Sequence, residues 1–138
     1  VIGTGPLFHD GGSEHPEKIA VVEVCTAVLN RDWQGYRGTT VLVFQEHATE
    51  LHHLTPDVQH MFMDDAARIA NALKKTFPDT KLNHALLGNA TRHLHWHIIV
   101  RRSTDTDPRA TIWETPFPKP QQSDNDLRIM TEEIRRHL

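Results

Sequence analysis

The stretch that decides the reading is His93-Leu94-His95-Trp96-His97-Ile98-Ile99-Val100-Arg101, residues 93–101. Successive side chains of an extended strand point to opposite faces. The imidazoles of His93, His95 and His97 would therefore leave one face, about 6.6–6.8 Å apart along the chain. Leu94, Trp96 and Ile98 leave the other face, which predicts a strand with a covering helix packed against it. Three chemical readings of the imidazole row are open at this level. It can be a solvated polar face. It can be a metal site, with further ligands drawn from His47, His52, His53, Asp64 or Asp65. Or it can carry nucleophilic catalysis on phosphorus, one imidazole attacking while its neighbours orient it and hold charge.

Working outward, Thr55-Pro56-Asp57 is a helix start, with a capping hydroxyl and a proline at the first helical position. Val58, Met61, Phe62, Ala66, Ile69, Ala72, Leu73 and Phe77 then follow a 3.6-residue period up to Pro78. That stripe predicts the helix that covers the sheet. Upstream, the β-branched run from Ile19 to Leu29 predicts one or two strands. Turn chemistry at Asn30-Arg31-Asp32 and Gly35 ends it, and a further strand runs over Thr39–Phe44. Residues 81–90 predict another strand, weakened by Gly88. Residues 103–120 read as an extended tail carrying Trp113 and Phe117. Ser123 caps a short amphipathic helix built on Leu127, Met130, Ile134 and Leu138. Residues 1–18 read as an irregular arm ordered by packing of Leu7 and Phe8. The expected organisation is one domain, with residues 19–102 as its core and residues 103–138 completing it.

The composition of the 138 residues, 38% apolar and 24% charged, is that of a globular chain with one core. Eleven histidines stand against one cysteine. A lone Cys25 excludes an internal disulfide framework and a Cys-x-x-C zinc ribbon, and it reads as a buried strand residue. A net charge of −3 argues against general binding to nucleic acid or anionic membranes. No apolar run reaches membrane-spanning length and no signal-type leader opens the chain, so a cytoplasmic protein is expected.

The row His93-Leu94-His95-Trp96-His97-Ile98-Ile99 resembles His-φ-His-φ-His-φ-φ, the signature of the histidine triad (HIT) superfamily of nucleotide hydrolases and transferases. Asn83 and the Gly88-Asn89 pair resemble the segment these proteins place before the triad. Val28-Leu29-Asn30-Arg31 followed by Gly38 resembles their ribose-binding turn. The resemblance covers residues 19–102. It implies an α+β fold with a five-stranded antiparallel sheet, one main covering helix and a short C-terminal helix, paired across a homodimer into a continuous larger sheet.

The resemblance also implies roles. His95 would be the nucleophile toward an α-phosphorus, His97 would donate to a non-bridging oxygen, and His93 would support ring orientation. Asn83, Gly88 and Asn89 would meet the phosphates, and Asn30 the ribose. The expected activity is hydrolysis of a nucleoside phosphoramidate or dinucleoside polyphosphate through a nucleotidyl-histidine intermediate. A non-catalytic nucleotide-binding module and a histidine-ligated metallohydrolase are the alternatives. No cofactor and no metal are expected, structural zinc included. Three positions depart from the pattern. Thr39 stands where many members carry a fourth histidine, and Ala90 where some carry a hydroxyl beside the leaving group. Val100 stands where proline is common, and Trp113 is read either as a residue near the site or as a packing anchor.

Overall fold

The computed structural model describes residues 15–114 and 119–138. Leu7, Phe8 and Phe117, and with them most of the expected N-terminal arm, lie outside the described residues. Five strands, β1 (Lys18–Val21), β2 (Cys25–Leu29), β3 (Thr40–Phe44), β4 (Lys81–Ala85) and β5 (His95–Arg101), form one antiparallel sheet in the order β1-β2-β3-β5-β4. Helix α1 (Pro56–Thr76) follows β3, and α2 (Asp124–Arg135) closes the chain. This is the α+β architecture expected, and the β-branched run of residues 19–29 resolves into two strands joined by a tight turn.

Both helices cover one sheet face. Leu94, Ile98 and Val100 from the triad segment are buried there with Phe62, Ala66, Ile69, Ala72 and Leu73 of α1. Trp96 stacks on Phe62 at 5.3 Å between ring centres, and its indole N–H donates to the Phe62 carbonyl at 3.2 Å. Helix α2 adds Leu127, Met130 and Ile134 to the same core. The Ser123 hydroxyl accepts from the Asp126 N–H at 3.0 Å, while the Asp126 carboxylate accepts from the Ser123 N–H at 3.2 Å. These reciprocal bonds satisfy helix-end donors that have no partner within the helix.

Several expectations are corrected. The α1 stripe is narrower than its period suggested: Met61 is 37% exposed, and Val58 and Phe77 only border the core. The buried position the stripe missed is Asp65. Its carboxylate accepts from the backbone N–H groups of Glu23, Val24 and Cys25 at 3.0, 2.8 and 3.0 Å, so it pins the β1–β2 turn to the helix. That use removes Asp65 from the possible metal ligands. Strand β4 stops at Ala85 instead of running to residue 90. Leu138 lies beyond the end of α2 and is 38% exposed.

Residues 102–114 are not extended. They fold back around the buried Arg101, which donates to the Asp105 carboxylate at 2.8 Å and to the carbonyls of Asp107 and Ala110 at 2.9 and 2.6 Å. One guanidinium thus organises the loop that carries Trp113. Among the described residues no helix is long and apolar enough to cross a membrane.

Candidate functional site

The helix-free face of the sheet carries the histidines. Strand β5 begins at His95, so two imidazoles of the row, not three, project from the regular strand. Val43 of β3 lies opposite His95 and Val41 opposite His97. His93 sits at a bend just before the strand, where Leu94 bonds both Phe44 and Ala48 through its backbone. The His93 ring donates through Nε2 to the Phe44 carbonyl at 2.6 Å, and the His47 ring lies 6.3 Å away. Of the three histidines expected on one strand, His95 and His97 stand on β5 and His93 precedes it.

His93 nevertheless meets the site through its backbone. Its carbonyl lies 2.6 Å from Nδ1 of His95. A carbonyl only accepts, so Nδ1 of His95 carries the proton and Nε2 presents its lone pair. Nε2 of His97 lies 3.2 Å from that lone pair. Two lone pairs facing each other would repel, so Nε2 of His97 is the donor. The two rings sit at 79° with centres 4.8 Å apart. Burial lowers both pKa values. His97 is brought down to about 4, first by loss of water and then by His95. His95 is lowered chiefly by burial, against which the bond to His93 works. Both rings are therefore neutral at pH 7.

A cavity of about 530 Å³ opens over this pair. Asn30 and Trp33 wall it from the turn between β2 and β3, and Gly88, Asn89, Ala90 and Thr91 wall it from the loop after β4. Gly88 has φ +82°, a left-handed conformation that a side chain would strain. The Asn30 side chain also accepts from the Asp32 N–H at 3.2 Å and so caps its own turn. Asn83 is not brought into this cavity. It lines a neighbouring one beside Arg101, whose guanidinium donates to its side-chain oxygen at 3.3 Å. Thr39 is fully buried. Its hydroxyl donates to the Tyr36 carbonyl at 2.6 Å and accepts from the Val100 N–H at 3.3 Å, a backbone staple in place of any imidazole.

Trp33 is the residue that sequence reasoning missed. Its indole lies nearly parallel to His97, 5.1 Å away at 17°, while Trp113 stands edge-on to both rings at 5.2 and 5.4 Å. Trp113 thus reaches the site from its own chain. A tryptophan in a polar turn was the available signal, but no local period says which strand such a turn folds over. Cys25 is buried beside Asp65, and burial pushes its thiol pKa up, which makes it a poor nucleophile. Among the described residues no three His, Cys, Asp or Glu side chains gather as a metal-binding group.

Comparison with known proteins agrees with this geometry. No curated protein sequence matches the chain. Among solved structures, a histidine triad protein from Sinorhizobium meliloti 1021 is 28% identical, with a TM-score of 0.79 and 88% of each chain covered. A histidine triad protein from Bradyrhizobium japonicum is 26% identical with a TM-score of 0.77, covering 87% of this chain and 88% of that one. The Plasmodium falciparum diadenosine triphosphate hydrolase shares the fold at 14% identity, with a TM-score of 0.63 over 88% of this chain and 75% of that one. The HIT domain family matches residues 14–104, a span that holds the sheet, the covering helix and the paired imidazoles, and the chain belongs to that family.

Proposed function

We propose that this protein hydrolyses a nucleoside phosphoramidate or a dinucleoside polyphosphate at the α-phosphorus, with His95 as the nucleophile. The observation that carries the reading is the bond from Nδ1 of His95 to the His93 carbonyl. It orients the lone pair of Nε2 into a cavity sized for a small molecule. In the first step a bond forms between Nε2 and phosphorus and the bond to the leaving group breaks. The departing group takes a proton from water or through Thr91, since Ala90 offers no hydroxyl. In the second step water attacks phosphorus, the N–P bond breaks, and the mononucleotide and neutral His95 are regenerated. Two easier displacements replace one hard one.

His97 turns its Nε2 proton from the His95 lone pair to a non-bridging oxygen, where charge builds up during transfer. His93 acts mainly through its carbonyl. Gly88 and Asn89 meet phosphate and Asn30 meets ribose, whereas Asn83 supports Arg101 and the loop that carries Trp113. Residues 19–102 form the nucleotide-handling unit and the C-terminal segment completes it. Strand β4 ends the sheet, which suits it to pair with a second copy, and the lone cysteine suits a cytoplasmic setting.

The test is to incubate the protein with a panel of both substrate classes, quench with acid and locate the added mass by peptide mapping. A nucleotidyl adduct on His95 and at least a roughly thousandfold loss of turnover in His95→Ala are expected. Turnover that survives in His95→Ala rejects the mechanism. Tight mononucleotide binding with no turnover on any substrate would establish the binding-module reading instead.

A further inference from the structure

His97 is only 6% exposed, and its Nδ1 atom is buried with no hydrogen-bond partner among the described residues. A bare lone pair in a protein interior takes a proton or a water whenever either can reach it. Trp33 covers one face of that ring and Trp113 meets it edge-on, so the imidazole is enclosed by two indoles. The mounting of Trp33 is rigid. Its N–H donates to the Asn30 carbonyl and its carbonyl accepts from Tyr36, each at 3.0 Å. The next residue, Gln34, is buried. Its side chain donates to the carbonyls of Asn30 and Thr39 at 2.8 and 3.0 Å and accepts from the Gly38 N–H at 2.9 Å.

We propose that Trp33 is a positioning residue for His97: its indole, stacked on the imidazole, keeps that face of the ring from solvent and holds the ring as a neutral donor through Nε2. The inference rests on the proposed catalytic role of the His95–His97 pair. A protonated His97 would grip the His95 lone pair by a charge-assisted hydrogen bond and withdraw it from phosphorus. A neutral His97 releases it. Among the described residues the only other titratable groups lining the cavity are His95 on the same strand and Asp32 beside Trp33. The neighbouring strands place Val41 and Ala85 opposite His97, and the loop after β4 contributes no charge to the lining. The low proton affinity of His97 agrees with this enclosure.

The experiment is a nitrogen-15 NMR titration of the histidines in the full chain, wild type against Trp33→Leu and Trp33→Phe, alongside pH profiles of kcat. In the wild type His97 stays neutral with its proton on Nε2 down to about pH 5. Trp33→Leu moves the His97 titration and the acid limb of kcat upward by about one pH unit, while Trp33→Phe, which keeps a ring face, stays near wild type. A wild-type His97 that titrates near its ordinary value, or carries its proton on Nδ1, overturns the proposal without any variant. Unchanged titration in Trp33→Leu overturns it as well. The NMR readout needs no turnover, so it fails or holds separately from the proposed hydrolase activity.

Discussion

Asp65 offers the sharpest test of the physical account, because one side chain holds three backbone donors from 40 or more residues away. One carboxylate oxygen accepts from Val24 and Cys25, the other from Glu23. Asp65→Asn keeps the shape but turns one oxygen into a donor. The cheaper orientation sacrifices the single bond to Glu23 and leaves two bonds to a neutral oxygen. Hydrogen bonds to a charged group contribute about 1.5–3 kcal/mol each and neutral ones about 0.5–1.5. One lost and two weakened bonds, less the relief of burying a neutral group, cost about 3 kcal/mol. At roughly 2.1 cal/mol/K per residue, unfolding a chain of this length has an entropy near 0.3 kcal/mol/K, so Tm should fall by about 10 °C. Asp65→Ala should cost more, since all three donors lose their acceptor. Urea and thermal unfolding followed by circular dichroism measure both variants. An Asp65→Asn protein within about 0.5 kcal/mol of wild type would refute the reasoning, because it would mean that water or a shifted turn satisfies those donors at no cost.

Other consequences are separable. Burial holds the His95 and His97 pKa values below the ordinary value, so the unfolded chain takes up these protons first as the pH falls. Stability should be intact above about pH 6.5 and decline toward pH 4, and His97→Gln should flatten that decline in urea midpoints taken at pH 7.5 and 5. Gly38 has φ +99°, and a Cβ there would come within 2.5 Å of the Phe77 ring. Gly38→Ala should destabilise by about 2–4 kcal/mol through backbone strain and overpacking, measured by the same unfolding assay. Ser123→Ala removes one arm of the α2 capping box and should cost about 1 kcal/mol, with no change in nucleotide affinity by calorimetry.

The elements were legible because their signals are local, whereas the five-stranded sheet was expected only from the resemblance to the histidine triad family. A period of two in residues 93–98, a period of 3.6 in α1, and caps at Thr55 and Ser123 each specify an element within a few residues of itself. The histidine pair was legible for the same reason, since alternation along one strand places His95 and His97 together. The errors came where a long-range contact outweighs the local pattern. Asp65 was not foreseen as buried, because its partners are backbone amides that carry no residue identity. Residues 103–120 looked extended because the group that folds the segment up to residue 114 is Arg101, whose partners are mainly carbonyls.

By itself the sequence determined the element types, the covering helix and the two imidazoles that share a strand face, since these follow from side-chain alternation and period. Only the tertiary structure decided the states of those imidazoles. The bend at His93 sets its ring on the Phe44 carbonyl and its own carbonyl on Nδ1 of His95, while Trp33 and Trp113 converge on His97 from segments far apart in the chain. Proton position and burial depend on which groups meet in space, and no local period of the sequence encodes that.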